Sequence, residues 1–232
     1  MEGRSVPRKA KVAKRITSPA DPYVTNLLGN ISEGKRILNA QKGEKIFSQG
    51  DRAEAVFFIQ SGKVKVTVVS AAGKEAVIAM LGPHDLLGEG ALVGNSSRIS
   101  TATVLESSIV FRIEKQAMAQ ALLEQPELAA KFIAAVLVRN TDLEEDLCDQ
   151  LFNHSEKRLA RVLLKLVRLH EHNIVPDATI PLVSHEVLAE MVGTTRSRIT
   201  YFMNKFRAMG LIDYDTELKI KTEKLTNVVL RD

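Results

Sequence analysis

The stretch GEGALVGNSSRIS, Gly88 to Ser100, sets an acid and an arginine nine residues apart, Glu89 and Arg98, among glycines and small polar residues. That combination suits the capture of an anion. A guanidinium fork matches phosphate oxygens, and glycine-rich turns leave backbone N–H groups pointing outward to cradle them. The simpler alternative is that Glu89 and Arg98 bridge each other across the loop. A second group of charges lies further on, where Arg196, Arg198, Lys205 and Arg207 occur with no acid between Thr194 and Gly210. A third candidate, His170 and His172, is an H-x-H pair without further metal-ligating partners, which reads as surface. Cys148 stands alone, so a disulfide framework and a four-cysteine iron–sulfur or zinc site are excluded, and it reads as buried filler on a helix. No G-x-S-x-G, P-loop, H-E-x-x-H or paired-cysteine motif is present, and the expectation is a protein that is not an enzyme.

These residues need elements to hold them. From about 38 to 113 the chain alternates short apolar runs with glycines. EKIF, AVFFI, KVKVTVV, EAVIAML and SSIVFRI read as strands, separated by Gly43, Gly50, Gly62, Gly73 and Gly82. The spacing predicts an all-β roll or barrel with tight turns. Ahead of it, Asp21 and Pro22 read as the cap and first residue of a short helix. Residues 126–152 read as one long helix in which Leu128, Phe132, Val136, Asn140, Leu143, Leu147 and Leu151 form a stripe. Its first two turns suit packing on the roll. The rest suits a two-chain seam, with Asn140 as its polar register residue. The acids Asp142, Glu144, Glu145, Asp146 and Asp149 read as a solvated face. A new helix begins near Ser155, its expected cap, followed by a loop or small hairpin, two more helices, an alternating LIDY…ELKIK segment and the apolar tail KLTNVVL.

The segment SHEVLAEMVGTTRSRITYFMNKFRAMGLI, Ser184 to Ile212, carries the basic group. Ser184 and Thr195 read as helix caps around a turn at Gly193, with Ala189 and Ile199 at the small and branched positions of a helix-turn-helix. Ile199, Phe202, Met203 and Phe206 read as the buried face. Arg196, Ser197 and Thr200 then face a DNA major groove, with Arg198 placed for a flanking phosphate and Ser184, Thr195, Tyr201 and Lys205 around them. Net charge supports this only weakly. Residues 1–20 hold six cations against one acid, a net +5 beside +4 for the whole chain, so the remainder sums to −1. That basic segment reads as a solvated tail or a phosphate-seeking arm. The N-terminus has no secretory pattern and no run approaches a membrane span, so a cytoplasmic protein is expected.

The motifs QKGEKIFSQGD, FFIQSGKVKV, LLGEGAL and RISTATV, followed by the ungapped segment from Val183 to Ile212, resemble the bacterial CRP/FNR family of transcription regulators over residues 22–232. The resemblance implies an α+β chain with four parts. A basic disordered tail (1–20) precedes a jelly-roll-like β-roll, or double-stranded β-helix, of the cyclic-nucleotide-binding type (21–125). A dimerisation helix (126–153) and a winged helix-turn-helix domain (154–232) follow. The implied partners are double-stranded DNA, a second copy of the chain and RNA polymerase, with no membrane. In nucleotide-binding members the Gly88–Ser100 loop is a phosphate-binding cassette. Glu89 would then take a ribose hydroxyl, Arg98 the cyclic phosphate, and the turn amides at Gly88 and Gly90 the rest, beside Ile99 and Ser100. This chain departs from that pattern at two places. Ile99 stands where a small or hydroxyl residue is usual, and Leu143 and Glu144 replace the adenine-contacting Thr–Ser pair. Three possibilities therefore remain open: cyclic AMP, another nucleotide or anionic ligand, or no effector, the chain then binding DNA constitutively. A nucleotide-binding module that controls an enzyme is the reading from another class.

Overall fold

A computed structural model describes residues 28–29, 31–170 and 176–230. The basic segment, Asp21, Pro22 and His172 lie outside the described residues.

Strands β1 (Lys35–Ala40), β2 (Lys45–Phe47), β3 (Ala55–Val69), β4 (Glu75–Leu81), β5 (Leu86–Leu87) and β6 (Thr101–Glu114) form one antiparallel sheet. Its order is β1-β6-β3-β4, with β2 added to β6 and β5 to β3. The runs AVFFI and KVKVTVV are not two strands. They belong to the single strand β3, because Gly62, at φ 95, makes a bulge where its register on β6 shifts and does not turn the chain. Strand periodicity then divides the apolar residues between two cores. Phe57, Ile59, Val64, Val66 and Val110 face the inside of the roll together with Phe47, Leu81 and Leu87. Val56, Phe58, Phe111 and Ile113 face the other way, onto Met118 and Leu128. Those last two belong to helices α1 (Lys115–Glu124) and α2 (Pro126–Phe152).

Helix α2 has the length its stripe predicts, and the stripe divides in two. Leu128 is buried on the roll and Phe132 packs beside it, so Phe132 serves the roll core and not an open seam. Beyond it Val136, Leu143, Leu147 and Leu151 are exposed, joined by Ile133, Leu137 and Phe152. Cys148 is also exposed, contrary to the expectation of buried filler.

The C-terminal part gathers α3 (Ser155–His170), α4 (His185–Val192) and α5 (Arg196–Ala208) around a core of Leu159, Leu163, Leu188, Ile199 and Phe206. Ser155 is the first helical residue rather than the cap, since the Arg158 amide already bonds the His154 carbonyl. Strand β7 (Asp177–Pro181) is not half of a local hairpin. It pairs with β9 (Glu217–Lys221), which also pairs with β8 (Ile212–Tyr214) in a three-stranded wing. The apolar tail is a helix, α6 (Thr222–Leu230), and it buries Leu225 in the same core.

Candidate nucleic-acid interface and anion cassette

Ser184 and Thr195 cap α4 and α5, accepting from the amides of Val187 at 3.3 Å and Arg198 at 3.4 Å. Between the helices Gly193 turns at φ 69, and its amide closes on the Ala189 carbonyl. That left-handed turn is open to glycine at no steric cost. Burial of Ile199, Phe202, Met203 and Phe206 fixes the rotation of α5. At about 100° per residue, Ser197, Thr200, Tyr201 and Asn204 share the opposite sector, while Arg196 lies on one flank and Arg198 and Lys205 on the other.

The exposed sector is already wired. Arg196 Nε lies 2.9 Å from Glu186 Oε1, in an ion pair exposed on both sides and so worth little to keep. The Thr200 hydroxyl donates to the Arg196 carbonyl at 3.1 Å, and its oxygen lies 2.8 Å from His185 Nδ1. Asn204 Oδ1 accepts from the Tyr214 hydroxyl at 3.0 Å, which ties the wing to the middle of α5. Lys205, expected near DNA, donates instead to Glu156 Oε2 at 2.8 Å, a bond that raises its pKa. Asn204 and His185 were not among the residues expected from sequence. The same helical arithmetic finds Asn204, whereas His185 depends on how the two helices cross.

In the cassette, Gly88 turns at φ 76 into a short 3-10 segment, Glu89–Val93. Arg98 and Glu89 do not bridge each other. Arg98 is buried, donating to the carbonyls of Gly88 at 3.0 Å and Ala55 at 2.6 Å. Its guanidinium carbon lies 4.5 Å from the Phe47 ring centre and 5.4 Å from that of Phe57. Burial, then the Arg112 cation, pull its pKa down. Its Nε is buried with no partner. Glu89 pairs with Arg139 of α2 at 3.0 Å, and Arg139 also donates to the Leu86 carbonyl at 3.1 Å. Beside them burial pushes the Asp85 carboxyl up to about 6, against the Gly82 amide and Arg139, which lower it. Ser100 is buried, and Ile99 is 72% exposed. Leu143 and Glu144 face solvent, Glu144 accepting from Asn140 at 2.7 Å. Arg139 was not anticipated, because nothing local marks one arginine on a long charged helix.

The expected solvated acidic face is only partly solvated. Asp149 is buried against Arg161 and Asn153, and Asp146 pairs with Lys165. Among the described residues no cluster of His, Cys, Asp and Glu could hold a metal, and no helix is long and apolar enough to cross a membrane.

A β-roll, a long helix and a winged helix-turn-helix together have the layout of a DNA-binding regulator with a separate N-terminal domain. Residues 37–125 match the cyclic nucleotide-binding domain, and residues 157–226 match the Crp-like helix-turn-helix domain. The chain is 31% identical over 176 residues to the cyclic AMP receptor protein of Thermus thermophilus, an alignment that covers 74% of this chain and 76% of that one. It is 29% identical over 177 residues to the global nitrogen regulator of Synechococcus elongatus, covering 74% and 79%. Among solved structures, the c-di-GMP-responsive global regulator CLP of Xanthomonas campestris shares the fold. Its TM-score is 0.71 at 18% identity, over 87% of this chain and 99% of that one. The chain belongs to the CRP/FNR family and is a DNA-binding transcription regulator.

Proposed function

We propose that the protein acts in the cytoplasm as a homodimer, without catalysis, on a palindromic duplex site. The observation that carries this reading is the exposed apolar run Val136–Leu143–Leu147–Leu151 on the same helix that leads into the DNA-binding domain. Residues 126–153 form the dimerisation helix, with its seam from Val136 onward, 154–232 the reading domain and 21–125 the regulatory domain. Residues 1–20 add cations that seek phosphate, and RNA polymerase is the partner that turns occupancy into transcription. Paired recognition helices fixed to one axis place half-sites about 34–36 Å apart, one turn of the duplex.

Arg196 supplies the base readout. It is the first residue of α5, and its fork can meet the O6 and N7 of guanine. Selection of bound duplexes from a random library tests this. Arg196→Ala should lose about 1–3 kcal/mol on the wild-type site and flatten preference at one base per half-site. Enrichment of the unchanged palindrome would move readout to Ser197, Thr200 or Tyr201.

A second reading concerns the cassette. Two donors of Arg98 go to backbone carbonyls while its Nε has no partner, and the carboxylate of Glu89 goes to Arg139. With Ile99 beside them and Leu143 and Glu144 offering no match to a base edge, this favours a cassette that serves the roll's structure and a protein that binds DNA without a cyclic nucleotide. The named relatives, one of them a cyclic AMP receptor protein, support the opposite reading. Titration calorimetry against cyclic AMP, cyclic GMP and cyclic dinucleotides should give no binding. Binding that weakens by about 1.5–3 kcal/mol in Arg98→Lys would restore the nucleotide reading, with Arg98 as its phosphate ligand.

A further inference from the structure

The last two turns of α2 and the first three of α3 face each other across the elbow at Asn153 and His154. Three side-chain pairs cross it in antiparallel register. Asp146 meets Lys165, Asp149 meets Arg161, and Gln150 Oε1 accepts from Arg158 at 2.7 Å. Each step back along α2 is matched by a step forward along α3, so the pairs fix the angle between the helices in the way a zipper fixes two edges. Asp149 is buried, and Asn153 in the elbow itself donates to its Oδ1 at 2.8 Å. Gln150 also reaches past α3. Its Nε2 lies 3.4 Å from the Val192 carbonyl, at the C-terminal end of α4 beside the helix-turn-helix turn. The end of the seam helix therefore touches both the second helix of the elbow and the turn that aims α5.

We propose that Asp146, Asp149 and Gln150 are positioning residues for DNA reading, locking each recognition helix to the seam helix so that two half-sites are bound as one rigid unit. The proposal rests on the homodimer reading above. None of these side chains lies on the DNA-facing sector of α5, so they act on geometry and not on bases or phosphates. The DNA-binding domain also touches the β3–β4 hairpin, among other contacts through Lys65 with Glu190 at 3.6 Å, Lys63 with His170 at 3.0 Å, and Met80 against its core. Charge in the zipper has a reason as well. A wrong register would bury Asp149 unpaired, which costs far more than the correct pair gains.

The test compares two duplexes, the palindrome that wild type enriches and the same duplex with one half scrambled. The variants are Asp149→Asn, Lys165→Glu, and the swap of Lys165→Glu with Asp146→Lys. Linking two sites can add roughly 10²- to 10⁴-fold to affinity, and a loosened elbow forfeits part of it. Asp149→Asn and Lys165→Glu should therefore bind the full palindrome about 10- to 100-fold more weakly. Binding to the single half should stay within about twofold, and the swap should recover most of the loss. Thermal melting of each variant identifies any that fail to fold, and Asp149→Asn, the nearest in shape, decides if Lys165→Glu does. Full-site and half-site affinities that fall together, or that both stay at wild-type values in folded variants, overturn the proposal. Sedimentation of the same samples separates the two readings. A monomeric wild type overturns the dimer and the zipper with it, whereas dimeric variants that keep the wild-type preference for the palindrome overturn the zipper alone.

Discussion

Replacing Leu143 and Leu147 together with lysine should convert the protein to monomers in sedimentation velocity while the roll stays folded. In one protomer these side chains are 48% and 59% exposed, so the substitutions remove nothing from its own core. In the proposed dimer they lie in the middle of the seam, on a face that also presents Val136, Leu137 and Leu151. Burying a leucine contributes roughly 1.5–3 kcal/mol, and the dimer loses four of them while gaining four ammonium groups to desolvate. Affinity for a duplex with two half-sites should fall by roughly 10²- to 10⁴-fold, because each domain must then bind alone. Dimers that persist at wild-type concentration would place the seam on another surface.

The second large effect lies in the roll. A Cβ on Gly62 would stand 2.6 Å from the Ser108 Cα and 2.0 Å from its Oγ, at a residue whose φ is +95°. The left-handed backbone costs an L-residue roughly 1–2 kcal/mol, and forcing β3 off β6 adds roughly 1–3 kcal/mol. Gly62→Ala should therefore lower stability by about 2–5 kcal/mol in urea unfolding followed by far-UV circular dichroism. Gly73→Ala is the matched control. It shares the positive φ, at +75°, but its Cβ would meet nothing within 4 Å, so only the smaller backbone cost applies. Equal losses at the two glycines would show that the strand contact at Ser108 is not what requires Gly62.

The two sites were legible in the sequence to different depths, for physical reasons. The helix-turn-helix is local. Its caps, its turn glycine and the buried face of α5 all follow from spacings within 29 residues, and Ser184, Thr195, Gly193 and Ile199 take the places their chemistry dictates. The cassette is not local. Glu89 and Arg98 are nine residues apart, yet their partners come from 50 and 43 residues away, at Arg139 and Ala55. Alternation along β3 and β6 marks strands correctly but does not say that a glycine bulges instead of turning. That decision belongs to the facing strand, where Ser108 leaves no room for a side chain. The acidic face of α2 looked solvated because charge spacing on one helix carries no information about a second helix folded back on it. The wing likewise joins β7 to β9 across 36 residues, a pairing invisible to any window that reads only neighbours.

The exposed thiol of Cys148 offers a practical handle. It is the only cysteine in the chain, and it stands on the seam helix one residue from Leu147 and two turns before the elbow's second helix begins. A nitroxide or fluorophore coupled there labels each protomer once, with no engineered substitution. The separation of two such probes reads out how closely paired helices approach, and its change on adding duplex follows the opening or closing of the assembly in real time.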